Sequence, residues 1–285
     1  MPVLSVQSHV CLGSVGNRAA GFLLQRLGFE VWAVNSVQFS NHTGYGAWTG
    51  EATDPGTVAH LIEGVLARAT PGSCQAVLSG YLGTAALGEA ILAAVPRLRR
   101  ENPALVYCCD PVMGDRGRGL FVQADIPMFL TERALPLADL LTPNLFELEL
   151  LSGRPVRTLG DAVEAARNLA ARGPKVVLVT SLRHEAGAAD EIEMLAVTGS
   201  AAWRVATPLL TLDPPPGGLG DATAALFLAH YLKTSDPRRA LEACAAAVFE
   251  IALETQAKSG RDLALVEAQD RAVKPRRRFA ATAVT

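Results

Sequence analysis

The sequence predicts an α/β fold with a mostly parallel central sheet, helices on both faces and an antiparallel edge. Short β-branched apolar runs alternate with helical periods between residues 3 and 180. Strands that are separated by helices of this length must cross over and pair in parallel. Two later strand-like runs, Ile192–Val197 and Trp203–Pro208, are joined only by the turn Thr198-Gly199-Ser200, which is typical of an antiparallel pair.

The predicted elements follow one another without a linker, an internal repeat or a change in composition. Parallel strands are expected at Val3–Val6, Val31–Val37, Ala76–Ser79, Leu105–Cys109, Leu140–Thr142 and Val176–Thr180. Helices are expected at Asn17–Leu27, Thr57–Ala69, Thr84–Arg100, Asn144–Leu151 and Leu159–Arg172, and again after Asp221 to about Ala272. Because 285 residues with 49% hydrophobic content can bury a sizeable core, we expect a single domain over residues 1–285.

Charge and cysteine content exclude several classes of protein. The net charge of −2 implies no general attraction to nucleic acids or membranes, and the basic run Lys274–Arg278 is expected to be a solvated tail. The apolar runs are too short to span a bilayer, and the N-terminal residues carry no export signal. Five cysteines without a CxxC pair favour free thiols in a reducing cytoplasm.

The segment Gly217–Ala225 carries the strongest chemical signal. Three glycines surround Asp221, and a helical pattern begins directly afterwards. Backbone amides at a helix N-terminus are unpaired and form an anion hole that suits phosphate. Asp221 in such a hole can take a proton from an alcohol while the amides hold the charge of a phosphoryl group. The alternative at this point is that Gly220 makes a turn and Asp221 caps a helix.

Polar residues and glycines follow the end of each predicted parallel strand. In open α/β sheets, ligands bind beyond these carboxyl ends, so the residues define one candidate rim. The rim consists of Gln7-Ser8-His9 with Gly13–Asn17, Phe39–Gly46, Gly80–Gly83, Asp110–Asp115, Pro143-Asn144 with Glu147, and Ser181. Ordinary loops are also polar, and therefore the set is more informative than any single member.

Three carboxylates on this rim form a candidate metal site. Asp110, Asp115 and Glu147 are suited to Mg²⁺, which keeps waters and nucleotide phosphates among its ligands. The alternative is that Asp110 caps a turn and Glu147 a helix N-terminus. Arg116 and Arg118, in a loop with three glycines, either meet phosphate charge or belong to a mobile surface.

The motifs of other nucleotide-binding classes are absent from the sequence. It contains no Walker A motif and no GxSxG motif, and Gly13–Asn17 lacks the full dinucleotide pattern. The chain instead resembles the pyridoxal kinases of the ribokinase-like superfamily over nearly its whole length. The matching blocks are Gln7–Val10, Gly16–Ala20, Asn35–Tyr45, Ser79–Tyr81, Cys109–Asp115, Thr142–Asn144 with Glu147, and Gly218–Asp221.

The resemblance implies a role for each matching residue. It makes Asp221 the base that deprotonates the 5′-hydroxyl of pyridoxal, beside an anion hole formed by the amides of Gly218, Leu219 and Gly220. The implied substrate residues are Ser8, Val15, Phe39, Thr43, Gly44 and Tyr81. The implied ATP residues are Asp110, Thr142, Asn144, Glu147, Thr180, Ser181, Thr207, Pro208, Leu209 and Leu210, and the implied metal residues are Asp110, Asp115 and Glu147. His42 is expected to form a structural hydrogen bond beside Thr43.

The resemblance also implies Mg²⁺ with ATP, allows a monovalent cation such as K⁺, and implies a homodimer. Its expected activity is ATP-dependent phosphorylation of pyridoxal, and of pyridoxamine or pyridoxine as related acceptors, in vitamin B6 salvage. Departures from the family pattern are Thr180 in place of a lysine, Leu219 in place of a smaller residue, and Leu120 in place of a cysteine. Two alternatives remain open, a hydroxymethylpyrimidine kinase and a non-catalytic protein that binds pyridoxal phosphate or a nucleotide.

Overall fold

A computed structural model describes residues 1–284, and a central sheet lies between two helical layers. The strands of the main sheet are β1 (Pro2–Val10), β2 (Glu30–Phe39), β3 (Gly50–Ala52), β4 (Ala76–Ser79), β5 (Val106–Cys109), β8 (Leu140–Leu141), β9 (Val176–Leu182), β10 (Glu191–Val197), β11 (Ala202–Pro208) and β12 (Thr282–Ala283). A separate hairpin consists of β6 (Gly114–Asp115) and β7 (Gly119–Leu120).

The helices fill the crossovers and most of the C-terminal third of the chain. They are α1 (Asn17–Arg26), α2 (Pro55–Leu66), α3 (Ala85–Glu101), α4 (Ile126–Phe129), α5 (Leu145–Ser152), α6 (Leu159–Ala170), α7 (Leu219–Thr234), α8 (Pro237–Lys258) and α9 (Leu265–Val273). Several begin at side-chain caps, including Thr84 before α3 and Asp236 before α8, because these oxygens accept the otherwise unpaired first amides.

The strand order of the main sheet is β12-β11-β10-β9-β8-β5-β4-β1-β2-β3. The six strands from β9 to β2 pair in parallel, as predicted. The predicted antiparallel pair, β10 with β11, forms one edge, and β12 extends it. At the other edge of the sheet, β3 pairs with β2 in an antiparallel manner, and this strand was not predicted.

Alternation along the strands divides the core between the two faces of the sheet. Val3 and Cys108 pack with α1, α7, α8 and α9, whereas their neighbours Leu4 and Cys109 pack with α2, α3, α5 and α6. Adjacent side chains in a strand point to opposite faces, so each strand contributes to both cores. Because the six central strands run in parallel, all their carboxyl ends lie at the same end of the sheet, and the rim residues are placed there.

Two further parts of the chain differ from the sequence expectation. Residues 126–137, for which no element was expected, form α4 and two short helical turns. The charged side chains of the basic run are exposed, as expected, but the run is not a free tail, because the amides of Arg276 and Arg277 donate to Glu250 Oε1 at 3.0 and 3.2 Å. Glu250 is buried, so it requires these donors, and they hold the C-terminal segment against α8.

The five cysteines are free thiols, and only Cys11 is exposed. No helix within residues 1–284 is both long enough and apolar enough to cross a membrane.

Candidate active site

The N-terminus of α7 is the centre of the candidate site. Gly218 precedes the helix with a φ of +98°, and a Cβ there would lie 2.1 Å from the carbonyl oxygen of Ser14. Only glycine fits this position without strain. The first helical hydrogen bond runs from the Ala222 amide to the Gly218 carbonyl at 2.9 Å. The amides of Leu219, Gly220 and Asp221 therefore have no acceptor within the helix and can hold an anion.

Asp221 lies in the first turn of α7, where it is half-buried and close to the backbone amide of Gly16. Burial raises the pKa of Asp221 to about 6, although the Gly16 amide opposes the shift. Gly16 has a φ of +54°, and a Cβ there would lie 2.0 Å from the carbonyl oxygen of Ser8. The turn between β1 and α1 is thus held against the end of β1, which brings the Gly16 amide to Asp221.

A cavity of about 130 Å³ opens on one side of Asp221, and it is called here the first cavity. Of the substrate residues implied by the sequence, Ser8, Val15, Phe39, Thr43, Tyr81 and Asp221 line it. Gly44 does not line it, because its amide turns away to donate to His42 Nδ1 at 3.1 Å. The other lining residues are Val10, Val37, His42, Val112, Arg118, Phe121 and Gly217.

His42 lines the first cavity, and its hydrogen bonds define the protonation of its ring. Its Nδ1 accepts the Gly44 amide, so a neutral ring must carry its proton on Nε2. Burial lowers the pKa of His42, which keeps the ring neutral at pH 7, although Asp262 opposes this shift. His42 Nε2 is buried and has no hydrogen-bond partner in the described part of the chain.

The hairpin β6–β7 contributes to the first cavity in a way that the sequence did not reveal. The Arg118 guanidinium lies 4.9 Å from the centre of the Phe121 ring, and both side chains line the cavity. Arg116 instead bonds to Glu149 at 3.0 Å and to the Val156 carbonyl at 3.2 Å. The two arginines therefore have different surroundings. The β6–β7 hairpin sets them apart, and its two-residue strands are too short to show a periodic pattern in the sequence.

A second cavity, of about 110 Å³, lies on the other side of the α7 N-terminus. The expected ATP residues Thr180, Ser181, Thr207, Pro208, Leu209 and Leu210 line it, together with Leu219 and Gly220 of the anion hole. Helix α8 adds Val248, Phe249 and Ala252, which no sequence motif indicated. Asp221 and Gly217 face the first cavity, so the start of α7 separates the two cavities.

Buried carboxylates adjoin this boundary. Asp110 Oδ1 accepts a hydrogen bond from Thr142 Oγ1 at 2.9 Å, whereas Oδ2 is buried and has no partner among the described residues. Burial raises the pKa of Asp110 well above its usual range, and the charges of Glu147 and Asp221 raise it further. Asp110 thus belongs to a cluster of like charges, the arrangement that marks functional sites.

Glu147 caps a helix and also belongs to the cluster. Its Oε1 accepts the Met113 amide at 2.9 Å, and its Oε2 accepts the Asn144 amide at 2.9 Å. The Asn144 side chain accepts the Glu147 amide at 3.0 Å, which completes a capping box at α5. Burial raises the pKa of Glu147 to about 7 despite these amides, and Asp115 adds to the shift.

The three residues expected at the metal site are close enough to interact electrostatically, but they do not form a complete set of ligands. Asp115 Oδ1 is occupied by the amides of Gly117 and Arg118 at 2.9 and 2.8 Å. Within residues 1–284, no group of three His, Cys, Asp or Glu side chains could hold a metal ion alone. Asp115, Asn144 and Ser181 also line an open cleft of about 720 Å³ beside the second cavity.

Comparison with known proteins agrees with this geometry. The family model for phosphomethylpyrimidine kinase matches residues 28–266. A pyridoxal kinase of Deinococcus radiodurans is 50% identical over 99% of this chain and 96% of its own. A pyridoxal kinase of Rubrobacter xylanophilus is 54% identical over 97% of this chain and 95% of its own. The solved pyridoxal kinase from Leishmania donovani in complex with ADP and pyridoxamine has a TM-score of 0.92 at 30% identity, covering 100% of this chain and 99% of that chain.

The sheet and its helical layers, together with the structural likeness, define a ribokinase-like α/β kinase, which confirms the predicted fold class. Within that class, the chain belongs to the pyridoxal kinases. It is therefore an enzyme of nucleotide-dependent phosphoryl transfer, and the predicted family is confirmed.

The buried cluster predicts how stability depends on pH. A carboxyl group whose pKa is raised on folding stabilises the protein below its unfolded pKa, and that stabilisation is lost as the pH rises through the folded pKa. We therefore expect the free energy of unfolding of the ligand-free protein to fall between about pH 5 and pH 8. Asp110→Asn keeps the bond to Thr142 and removes one carboxyl, so it should reduce this fall by about 1 kcal/mol or more.

Urea unfolding at several pH values, without nucleotide or metal, measures this effect. Asp270→Asn is the control, because Asp270 is an exposed carboxylate that pairs with Arg26 far from the cluster. An equal pH dependence in the wild type and in Asp110→Asn would show that Asp110 is not destabilised by the cluster.

Proposed function

We propose that this protein transfers the γ-phosphoryl group of ATP to the 5′-hydroxyl of pyridoxal, giving pyridoxal 5′-phosphate in vitamin B6 salvage. Pyridoxamine and pyridoxine are related acceptors in this proposal. The observation that carries it is the position of the α7 N-terminus between two cavities, with Asp221 facing one and Gly220 the other. An acceptor in the first cavity and a nucleotide in the second would meet at the unpaired amides.

Asp221 is the proposed general base. Its pKa of about 6 leaves it ionised at neutral pH, yet it is more basic than an ordinary aspartate. The carboxylate lies close to the Gly16 amide and lines the first cavity, where it can accept the proton of the acceptor hydroxyl. The hydroxyl oxygen then attacks the γ-phosphorus as the bond to the β-phosphate oxygen breaks, and ADP leaves.

The amides of Gly218, Leu219 and Gly220 are the proposed anion hole for the phosphoryl group. They are catalytic in this proposal because they donate hydrogen bonds to its oxygens as charge moves during transfer. Phosphoryl transfer depends mainly on alignment and charge neutralisation, which fixed amides at a helix N-terminus supply. The backbone amide of Leu219 serves as well as that of a smaller residue, so this departure leaves the proposal intact.

Ser8 and Thr43 are the proposed hydrogen-bonding partners of the pyridine ring and its substituents. Val15, Phe39 and Tyr81 supply apolar walls on either side of a flat ring. His42 lines the same space, and its Nε2 proton lies beside Gly217. Gly44 contributes by fixing the His42 ring through its amide, which is an indirect role in substrate binding.

The nucleotide is proposed to occupy the second cavity and the adjoining open cleft. Thr207, Pro208, Leu209 and Leu210 would flank the adenine opposite Phe249, while Thr180 and Ser181 face the phosphates. Thr142 and Asn144 act through their bonds to Asp110 and Glu147. No lysine stands at position 180, so amides and a cation must meet the phosphate charge.

The carboxylates fit a hard divalent cation. The buried and unpartnered Oδ2 of Asp110 lacks a positive partner, which a cation would supply. Asp110 would hold Mg²⁺ directly or through water, and Glu147 and Asp115 would add negative charge, with nucleotide oxygens and water as the other ligands. When bound, Mg²⁺ neutralises charge on the phosphates. A monovalent cation such as K⁺ is a second ion to be tested in the same titrations.

The protein is further proposed to work as a single domain over residues 1–285, as a homodimer, and in the cytoplasm. Both core clusters share the strands of one sheet, which supports a single domain. The free thiols are consistent with a reducing compartment. The homodimer is supported only by the family resemblance.

A second candidate is a hydroxymethylpyrimidine kinase, which the matching family description favours. ATP-dependent phosphorylation of pyridoxal and of hydroxymethylpyrimidine by the purified protein separates the candidates. Turnover of pyridoxal supports the main proposal, and turnover of hydroxymethylpyrimidine alone overturns it. Binding without turnover of either compound would indicate a non-catalytic protein.

Asp221→Asn should keep the shape of the site and remove the base. We expect kcat to fall by about two to four orders of magnitude, with little change in KM for ATP. In the wild type with saturating Mg²⁺ and ATP, kcat should rise with pH through an apparent pKa of about 6, because the base must be ionised. Near-normal turnover in Asp221→Asn would refute the role of this residue.

Ser8→Ala and Thr43→Val should each weaken pyridoxal binding by about 0.5–3 kcal/mol, since a polar group of the ring loses its partner. Isothermal titration with pyridoxal measures this loss, and nucleotide affinity serves as the internal control. A change confined to nucleotide affinity would mean that the two cavities are assigned to the wrong ligands.

A further inference from the structure

Asp262 lies between α8 and α9, outside every sequence motif, and contacts three segments around the first cavity. Its Oδ2 accepts a hydrogen bond from the Tyr45 hydroxyl at 2.8 Å. Its backbone pairs with that of Gly217 in an isolated parallel bridge. Its Oδ1 fits closely against Gly13, where a Cβ would lie only 2.2 Å away. Asp262 itself does not line the cavity.

The first contact fixes the turn that carries His42 and Thr43. This short helical turn spans Thr43–Tyr45 and begins at His42. The rings of His42 and Tyr45 meet edge to face with centres 4.9 Å apart, so restraining Tyr45 also restrains His42. The Arg261 guanidinium lies 5.4 Å from the centre of the Tyr45 ring and covers it.

The second contact fixes the chain just before the anion hole. Gly217 directly precedes Gly218, which begins α7, and it lines the first cavity. A Cβ on Gly217 would lie 3.1 Å from Val15 and 3.2 Å from His42 Nε2. The backbone of Gly217 is therefore held between the His42 ring and the Asp262 backbone.

The third contact limits the movement of the carboxylate itself. Gly13 has a φ of +95° and leaves just enough room for Asp262 Oδ1, which is buried without a hydrogen-bond partner in residues 1–284. A buried and unpaired carboxylate oxygen is costly, and here the cost accompanies contacts with the site. The observed contacts of Asp262 are with one hydroxyl, that of Tyr45, and with two backbone segments, at Gly217 and Gly13.

We propose that Asp262 is a positioning residue that holds the Thr43–Tyr45 turn and the Gly217 backbone in one arrangement. The acceptor ring is bound by the turn, and the phosphoryl group is bound by the amides after Gly217. Asp262 thereby sets the distance between the acceptor hydroxyl and the anion hole. This inference rests on the proposed function, in which both groups bind at these two places.

The test compares Asp262→Ala, Asp262→Asn, Tyr45→Phe and the Asp262→Ala/Tyr45→Phe double variant with the wild type. The control is Asp270→Ala, which removes an exposed aspartate of α9 far from the cavity. Amide hydrogen exchange of residues 41–49 in the ligand-free protein should be faster in Asp262→Ala and Tyr45→Phe. Exchange in Val106–Cys109 and in the control should be unchanged. Tyr45→Phe keeps the test available if Asp262→Ala does not fold.

Kinetics supply the second measurement. Asp262→Ala should lower kcat by about 10- to 100-fold and raise KM for pyridoxal, because small displacements of reacting groups are costly, while KM for ATP stays constant. Asp262→Asn retains an acceptor for the Tyr45 hydroxyl and should recover most of the loss. The double variant should resemble Asp262→Ala, since both changes break one interaction.

Unchanged exchange in residues 41–49 would overturn the inference. Additive effects in the double variant, or equal loss of protection in Val106–Cys109, would also overturn it. Asp262→Asn as impaired as Asp262→Ala would exclude the hydrogen bond as the cause. The exchange measurement needs no substrate, so failure of the wild type to phosphorylate pyridoxal would refute the proposed function without changing the exchange result.

Discussion

The site depends on one backbone constraint, the left-handed conformation of Gly218 at the start of α7. A side chain there would collide with the carbonyl of Ser14, so the close approach of the two loops requires glycine. Contact between Gly218 and Ser14 places the unpaired amides at the start of α7 beside the loop that connects β1 to α1. As a result Asp221 meets the Gly16 amide on one side, and Leu219 and Gly220 face the opposite cavity. Both halves of the candidate site are organised around the first turn of a single helix.

A second feature is the concentration of negative charge that this geometry leaves uncompensated. Asp110 and Glu147 are buried and Asp221 is half-buried nearby, and loss of hydration raises the pKa of each. Such a cluster is unfavourable in the free protein, and it would be relieved by a cation or by protons. The capping box of Glu147 shows how the fold tolerates it, since two backbone amides support the carboxylate. Glu147 therefore has two roles at once: it caps helix α5, and it contributes negative charge to the acidic cluster.

Residues that directly follow a strand were the easiest to find from the sequence. Tyr81 and Asp110 follow β4 and β5, and Ser8 lies near the carboxyl end of β1, which extends four residues beyond the predicted Val6, so the predicted strands were enough to place all three on one rim. Residues that reach the site through long-range packing were missed. Phe249 comes from the middle of α8, Phe121 follows a two-residue hairpin strand, and Asp262 belongs to a loop between helices. Gly44 shows what a motif does not reveal, because its neighbours His42 and Thr43 line the cavity whereas its own amide bonds to the His42 ring.

By itself, the sequence determined the parallel sheet, its antiparallel edge, the rim of polar residues and the family. These follow from local properties, namely side-chain periodicity, turn-forming glycines and motifs that are continuous along the chain. Tertiary structure alone decided that two cavities meet at α7, that Tyr45 donates a hydrogen bond to Asp262, and that the backbone of the basic run bonds to Glu250. Each of these depends on groups that are far apart in the chain and become neighbours only when the two layers of helices pack on the sheet. Local pattern cannot specify such contacts, because burial and hydrogen-bond pairing are settled by the folded chain as a whole.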